Sequence, residues 1–301
     1  MTMAKDDLRP INRKQFLRRT AGSLVGVTAA CVGVPTFIPD LRASNVPLQY
    51  RTIGKTGLKV TAVGLGGSRT NEPSVMKRVI DSGVNFVDTG RMYAGGRNEE
   101  MIGRVIADVR KDIVIQSKID QKIQKDAVAM MKSIEDSCKA LRTDYIDIML
   151  IRGATTTEMV HNEIVHEVFN KAKEQGKIRF CGFSCHSSNA PDMMREGIDT
   201  GVYDVIMVPY NHSSSFRHSI YGIYSEWDQS ALESSFEMAD KAGVGVAVMK
   251  TCSGGPMPVE GKPRGSYQEG LRWILKNKHV SVMAVGMASF REVTEDLGAM
   301  G

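Results

Sequence analysis

Asp88, Tyr93, Lys118 and Arg152 place an acid, a phenol, an amine and a guanidinium at or just beyond the ends of consecutive apolar runs. Together such groups can move a proton. A phenol titrates near pH ~10 and alone is a weak acid at neutral pH. An ammonium beside it favours the phenolate, and a carboxylate beside the amine keeps that amine charged and oriented. Tyr93 then protonates a carbonyl oxygen while hydride reaches the carbon. Arg152 stays charged and only donates. That suits polarising a carbonyl or holding an anionic substrate, and equally an ion pair that locks Asp88. The plain structural alternative is a solvated ion pair beside a loop tyrosine.

Other constellations fail on spacing. Gly54-Lys55-Thr56 invites a phosphate-loop reading, but that motif needs glycine where the chain has Gln49. His161 and His166 are five apart and do not share a helix face, so no zinc site is expected. Cys181 and Cys185 lie roughly 13 Å apart along one strand face, too far for a disulfide. These cysteines read as free or buried thiols.

The elements that must position the four groups follow from the pattern after residue 47. Segments 48–53 and 58–60 flank a turn and read as a hairpin. Eight β-type runs follow, at 62–65, 84–87, 112–116, 146–150, 178–183, 205–208, 244–248 and 280–284. Helix-period segments lie between them near 74–82, 98–108, 125–140, 160–175, 190–197, 230–241 and 267–277, with another from Phe290. The strands lack strict alternation, as expected of strands covered on both faces. Eight βα units predict an α/β fold, a (β/α)8 TIM barrel with an N-terminal β-hairpin. Its active site lies at the carboxyl ends of the strands, where Asp88, Lys118 and Arg152 fall. A doubly wound sheet is the alternative, but Gly64-Leu65-Gly66-Gly67 does not supply its glycine fingerprint. No linker divides residues 48–301, so one domain is expected.

The chain has 301 residues and a net charge of +5. Residues 1–43 hold seven basic against three acidic side chains, a surplus of four, which leaves the rest at +1. Behind that basic cluster, residues 21–38 carry no charge, the layout of an export signal. The segment Asn12-Arg13-Lys14-Gln15-Phe16-Leu17-Arg18 resembles the twin-arginine export motif, with Asn12 for the hydroxyl residue and Lys14 for the second arginine. The expected organisation is a twin-arginine-type signal peptide over 1–43, handled by the export machinery, and a barrel over 44–301. The expected location is the periplasm, and a membrane association requires that the signal be retained as an anchor. A nearly neutral folded part with no evident basic stripe argues against a basic nucleic-acid binder.

Several stretches resemble the aldo-keto reductase family. They are 48–60 (LQYRTIGKTGLKV), 83–89 (GVNFVDT), Tyr93 with 95–100 (GGRNEE), 144–147 (DYID), 176–179 (GKIR), 208–211 (VPYN) and 271–273 (LRW). The resemblance spans roughly 48–297 in the family's order. It implies NAD(P)H-dependent reduction of an aldehyde, ketone or sugar, with Asp88, Tyr93 and Lys118 as three of four catalytic residues. Arg152 stands where the family has histidine. The implied cofactor, NADP or NAD, lies against Gly66, Ser184, Cys185, Met207, Gly286, Ser289, Arg291 and Glu295. Cys185 and Met207 replace the family's asparagine and glutamine, while Glu292 and Asp296 stand where arginine or glutamine and asparagine are usual. An acid there repels a 2′-phosphate. Some relatives carry an iron–sulfur segment, but no cysteine cluster is present, so no metal or cluster is expected. The chain ends about where the last helix ends, without a substrate-capping tail, and is expected to be short-tailed or incomplete. Arg152, Cys185, Met207 and Glu292 together leave a second reading, a barrel that binds nucleotide or a partner without turnover.

Overall fold

The computed structural model describes residues 47–217 and 224–301. The segment read as an export signal lies outside the described residues. Among the described residues no helix is long and apolar enough to cross a membrane.

Strands β1 (Tyr50–Thr52) and β2 (Lys59–Thr61) form the N-terminal hairpin. The barrel strands are β3 (Val63–Gly66), β4 (Phe86–Asp88), β5 (Val114–Ile119), β6 (Ile146–Ile151), β7 (Ile178–Ser184) and β8 (Val205–Pro209). Strands β9 (Ser215–Arg217) and β10 (Tyr224–Glu226) make a hairpin in the next connection. Then come barrel strand β11 (Gly245–Met249), the hairpin β12 (Met257–Val259) and β13 (Lys262–Ser266), and barrel strand β14 (Val282–Val285). The eight barrel strands pair in parallel and close in the order β3, β4, β5, β6, β7, β8, β11, β14. Helices Pro73–Asp81, Arg97–Val105, Ala127–Leu141, Glu163–Glu174, Ala190–Asp199, Gln229–Ala242, Tyr267–Leu275 and Phe290–Leu297 stand between the strands. The sequence expectation of a (β/α)8 barrel with a hairpin is therefore the observed fold. The third strand sits later than expected because 107–112 tighten into a 3-10 turn.

A strand alternates its side chains between two faces, and in a closed barrel one face is the interior. Phe86, Val114, Ile148, Leu150, Val205, Met207, Ala247 and Val282 fill that interior. Ile53, Leu58 and Val60 of the hairpin join the same cluster, so the hairpin plugs the amino-terminal end. Gly54-Lys55-Thr56 belongs to this plug. The Lys55 amide donates to Gly243 O at 2.8 Å. Gly54 has φ +45°, and a Cβ there would lie 2.4 Å from the Gly243 carbonyl oxygen. Packing, not phosphate, explains the glycine. With that end closed, the carboxyl rim is left to carry chemistry.

Candidate active site

The period of two that sends Val114 inward also sends Gln116 and Lys118 inward, one rung nearer the rim each time. On β4 it sends Asp88 inward, paired in register with Gln116. Lys118 is 1% exposed and its ammonium forms an ion pair with the Asp88 carboxylate, itself 4% exposed. Lys118 also donates to Thr89 O at 2.7 Å, and Gln116 Nε2 donates to Asp88 Oδ1 at 2.7 Å. Burial works against the ammonium, but Asp88 and Tyr93 outweigh it, so the Lys118 pKa is held above the usual lysine value. The Lys118 Nζ lies 5.1 Å from the centre of the Tyr93 ring.

Tyr93 hangs on a tight turn. Ala94, Gly95 and Gly96 all take positive φ, and a Cβ on Gly96 would strike the Arg91 guanidinium at 2.5 Å. Arg91 is held by Glu99 at 2.7 Å, and Glu99, fully buried, also accepts from Ser117 Oγ at 2.7 Å. Asn98 accepts from Thr89 Oγ1 at 2.7 Å and donates to Gly67 O at 2.9 Å. The segment GGRNEE thus fastens the tyrosine loop to β3, β4 and β5.

Asp88 and Tyr93 open onto a cavity of about 570 Å³ whose wall also includes Gly66, Met207, Lys250 and Gly286. Gln116 Nε2 reaches Met207 Sδ at 3.4 Å across the barrel, and Gln116 Oε1 is buried with no partner. Arg152 follows β6, half-buried, its amide donating to Ile119 O at 2.9 Å. Among the described residues it makes no ion pair, and the partners of the Asp88 carboxylate are Lys118 and Gln116. Ser184 and Cys185 are fully buried and do not line the cavity. Ser184 Oγ accepts from the Gly153 amide at 3.2 Å, and Cys185 packs in the core near Ser187.

Past β14, Gly286 exposes bare backbone on the cavity, and a Cβ there would meet the Arg69 side chain at 3.1 Å. Ser289 caps helix Phe290–Leu297, accepting from the Glu292 amide at 3.2 Å, and Arg291 is exposed. Glu292 Oε2 accepts from the Ala288 amide at 2.8 Å, and its Oε1 lies 4.0 Å from Arg69. Asp296 is 6% exposed; burial first, then Glu292 and Glu295, push its carboxyl up to about 7. Glu295 itself is exposed and its carbonyl accepts from Gln268.

The sequence did not single out Gln116, Arg69, His186 or Lys250. Gln116 stands two residues before Lys118, and that parity is the signal that finds it. Arg69 and His186 lie in loops whose course the strand pattern does not set. Among the described residues no group of three or more His, Cys, Asp or Glu comes together to hold a metal.

A closed parallel barrel with a buried acid–lysine pair, a rim tyrosine and an open mouth defines a βα-barrel of enzyme type. Residues 63–261 match the model of the aldo/keto reductase family, and the chain belongs to that family. L-galactose dehydrogenase of Arabidopsis thaliana is 25% identical over 296 residues, covering 84% of this chain and 88% of its own. The uncharacterized oxidoreductase YqkF of Bacillus subtilis is 28% identical over 178 residues, covering 54% of this chain; the match spans only 56% of YqkF. An aldo-keto reductase from Klebsiella pneumoniae, solved with NADPH, superposes with a TM-score of 0.65 at 21% identity, covering 84% of this chain and 90% of its own.

Proposed function

We propose that the protein is an NAD(P)H-dependent reductase of a carbonyl compound. The carrying observation is the buried Asp88–Lys118 pair set against Tyr93 at the mouth of the barrel. Tyr93 gives its proton to the carbonyl oxygen. Lys118, charged and fixed by Asp88, Thr89 O and Gln116's contact with Asp88, stabilises the phenolate left behind. Arg152 orients the substrate. The bound nicotinamide supplies the hydride. The residues present fit such a cofactor at the β14 end: bare backbone at Gly66 and Gly286, Arg69, and the capped helix after Ser289 offer room and donors for a pyrophosphate. Glu292 already takes the Ala288 amide and faces Arg69. A 2′-phosphate would meet that carboxylate, which favours NADH over NADPH.

The test is nucleotide oxidation with a panel of aldehydes, ketones and sugars, with both nucleotides. Tyr93→Phe should lower kcat by about 10²–10⁴ while nucleotide affinity holds within twofold. Arg152 in place of the family's histidine favours the second reading, binding without turnover. Tight nucleotide binding with no turnover, and turnover gained by Arg152→His, would establish it.

Export through residues 1–43 belongs to the same proposal. A folded reporter fused behind 1–43 should reach the periplasm, and Arg13→Gln with Lys14→Gln should retain it in the cytoplasm.

A further inference from the structure

Gln116 is an amide set among hydrocarbon. It is fully buried on β5, and the barrel interior it shares is filled by Phe86, Val114, Ile148, Val205 and Met207. Its Nε2 donates to Asp88 Oδ1 at 2.7 Å and touches Met207 Sδ at 3.4 Å, while its Oε1 is buried without a partner. An amide oxygen left unpaired in such surroundings is unfavourable. A methionine or leucine of similar volume would fill the same space without that cost. What the glutamine gives in return is its hydrogen bond to Asp88.

That bond falls on an oxygen already in use. The Lys118 ammonium pairs with the same Asp88 Oδ1. The register of β4 on β5 sets Asp88 opposite Gln116, and the Thr89 amide donates to Gln116 O at 2.8 Å, so the backbone holds the two side chains together. Asp88 and Lys118 are opposite charges in contact, and the field they exert on a third group is the difference between them. An N–H aimed at the carboxylate offsets part of its charge and leaves more of the ammonium's charge to act elsewhere. The group placed to feel it is Tyr93, whose ring centre lies 5.1 Å from Lys118 Nζ. The other charged or titratable groups on the cavity wall are Arg69, His186, Arg217, Lys250 and Cys252, and Arg91 pairs with Glu99 behind the tyrosine loop. The polar contacts of Gln116 are with Asp88 and Met207, so a change at 116 reaches the phenol through Asp88.

We infer that Gln116 is a positioning residue that sets the acidity of Tyr93 through Asp88: it takes up a share of the carboxylate's charge and so leaves the Lys118 ammonium to stabilise the phenolate. The inference rests on the reductase reading for what Tyr93 does, and stands apart from it for what Gln116 does to Tyr93.

The test reads the phenolate without any substrate. Ultraviolet phenolate absorbance is titrated in the full chain and in Tyr93→Phe, and the difference gives the Tyr93 midpoint. In Gln116→Met, taken against its own Tyr93→Phe double variant, that midpoint should move up by about 0.5–1 pH unit, a share of what a hydrogen bond to a charged group contributes. Gln116→Leu should move it in the same direction, so the result does not hang on the folding of one variant. In turnover, alcohol oxidation needs the phenolate, and its rise with pH should come later in Gln116→Met by the same amount. Carbonyl reduction needs the proton, and a weaker acid should lower its kcat by about two- to tenfold with KM within about twofold. A merely structural glutamine would lower the melting temperature and leave the midpoint in place, and that result overturns the inference. So does a midpoint that moves down. Failure of every carbonyl to turn over would refute the reductase reading, and the phenolate titration would still decide the role of Gln116.

Discussion

Removing one member of the buried pair separates a functional core from a solvated ion pair. Lys118→Met leaves the Asp88 carboxylate, 4% exposed, with the Gln116 amide as its remaining donor, and removes the donor to Thr89 O. Breaking a buried pair in this way costs about 3–5 kcal/mol, against about 0–1 kcal/mol for an exposed one. The lysine pKa is raised in the fold, so its contribution is complete below about 10.4, the unfolded value, and is lost only as pH rises through the folded one. A measurement at pH 7 therefore sees all of it. For a domain of this size each kcal/mol moves the melting temperature by about 2–4 °C, so Lys118→Met should melt about 6–20 °C lower. Adding Asp88→Asn removes the orphaned charge and should recover part of that loss. Circular-dichroism melts of the single and double variants give both numbers. A shift under about 3 °C for Lys118→Met, or a double variant no more stable than the single, would show that water reaches the pair and that the buried-pair reasoning is wrong.

Gly54→Ala should destabilise by about 1–3 kcal/mol in urea titration, since its Cβ would lie 2.4 Å from the Gly243 carbonyl oxygen. Asp296 titrates near 7 in the fold, above its unfolded value. A raised carboxyl favours the folded state while protonated, so stability should fall by a few kcal/mol as pH rises from about 4 to 8. Asp296→Asn should flatten that slope in urea midpoints taken at pH 5 and 8. Glu292→Gln should raise the ratio of kcat/KM with NADPH to that with NADH by about tenfold, because it removes a charge beside the 2′-position, as read by initial rates with each nucleotide.

The barrel was legible because eight βα units each obey a local rule, apolar run then amphipathic segment, and because only one closed architecture satisfies eight of them. The hairpins β9–β10 and β12–β13 were not, since strands such as Ser215–Arg217 and Lys262–Ser266 carry no apolar run to mark them. Within the candidate site, Asp88 and Lys118 were legible because strand parity and strand ends fix where they point, while Tyr93, on a loop turn, was singled out by the resemblance of its segment. Ser184 and Cys185 show the limit of that rule. A residue at a strand end can face the rim or turn into the core, and the choice depends on the chain that follows: Gly153 takes the serine hydroxyl, and Ser187 and Asn189 draw the cysteine inward. Lys250 escaped for the opposite reason. Its direction comes from a left-handed backbone clamped by Asn211, a contact 39 residues away in sequence.

The charge pattern of the folded part argues for a site rather than a relic. Several buried charges have partners: Glu99 has Arg91 and Ser117, and Asp147 has both Arg110 and Arg179. Such pairing is what a stable interior requires, because an unpaired buried charge costs far more than it returns. Among the described residues Arg152 and Lys250 form no ion pair with a carboxylate, and Lys250 stands in the cavity wall. The Asp88 carboxylate is held by Lys118 and Gln116, not by Arg152. Lys118 keeps Asp88 beside Tyr93, the geometry that the proposed proton transfer requires.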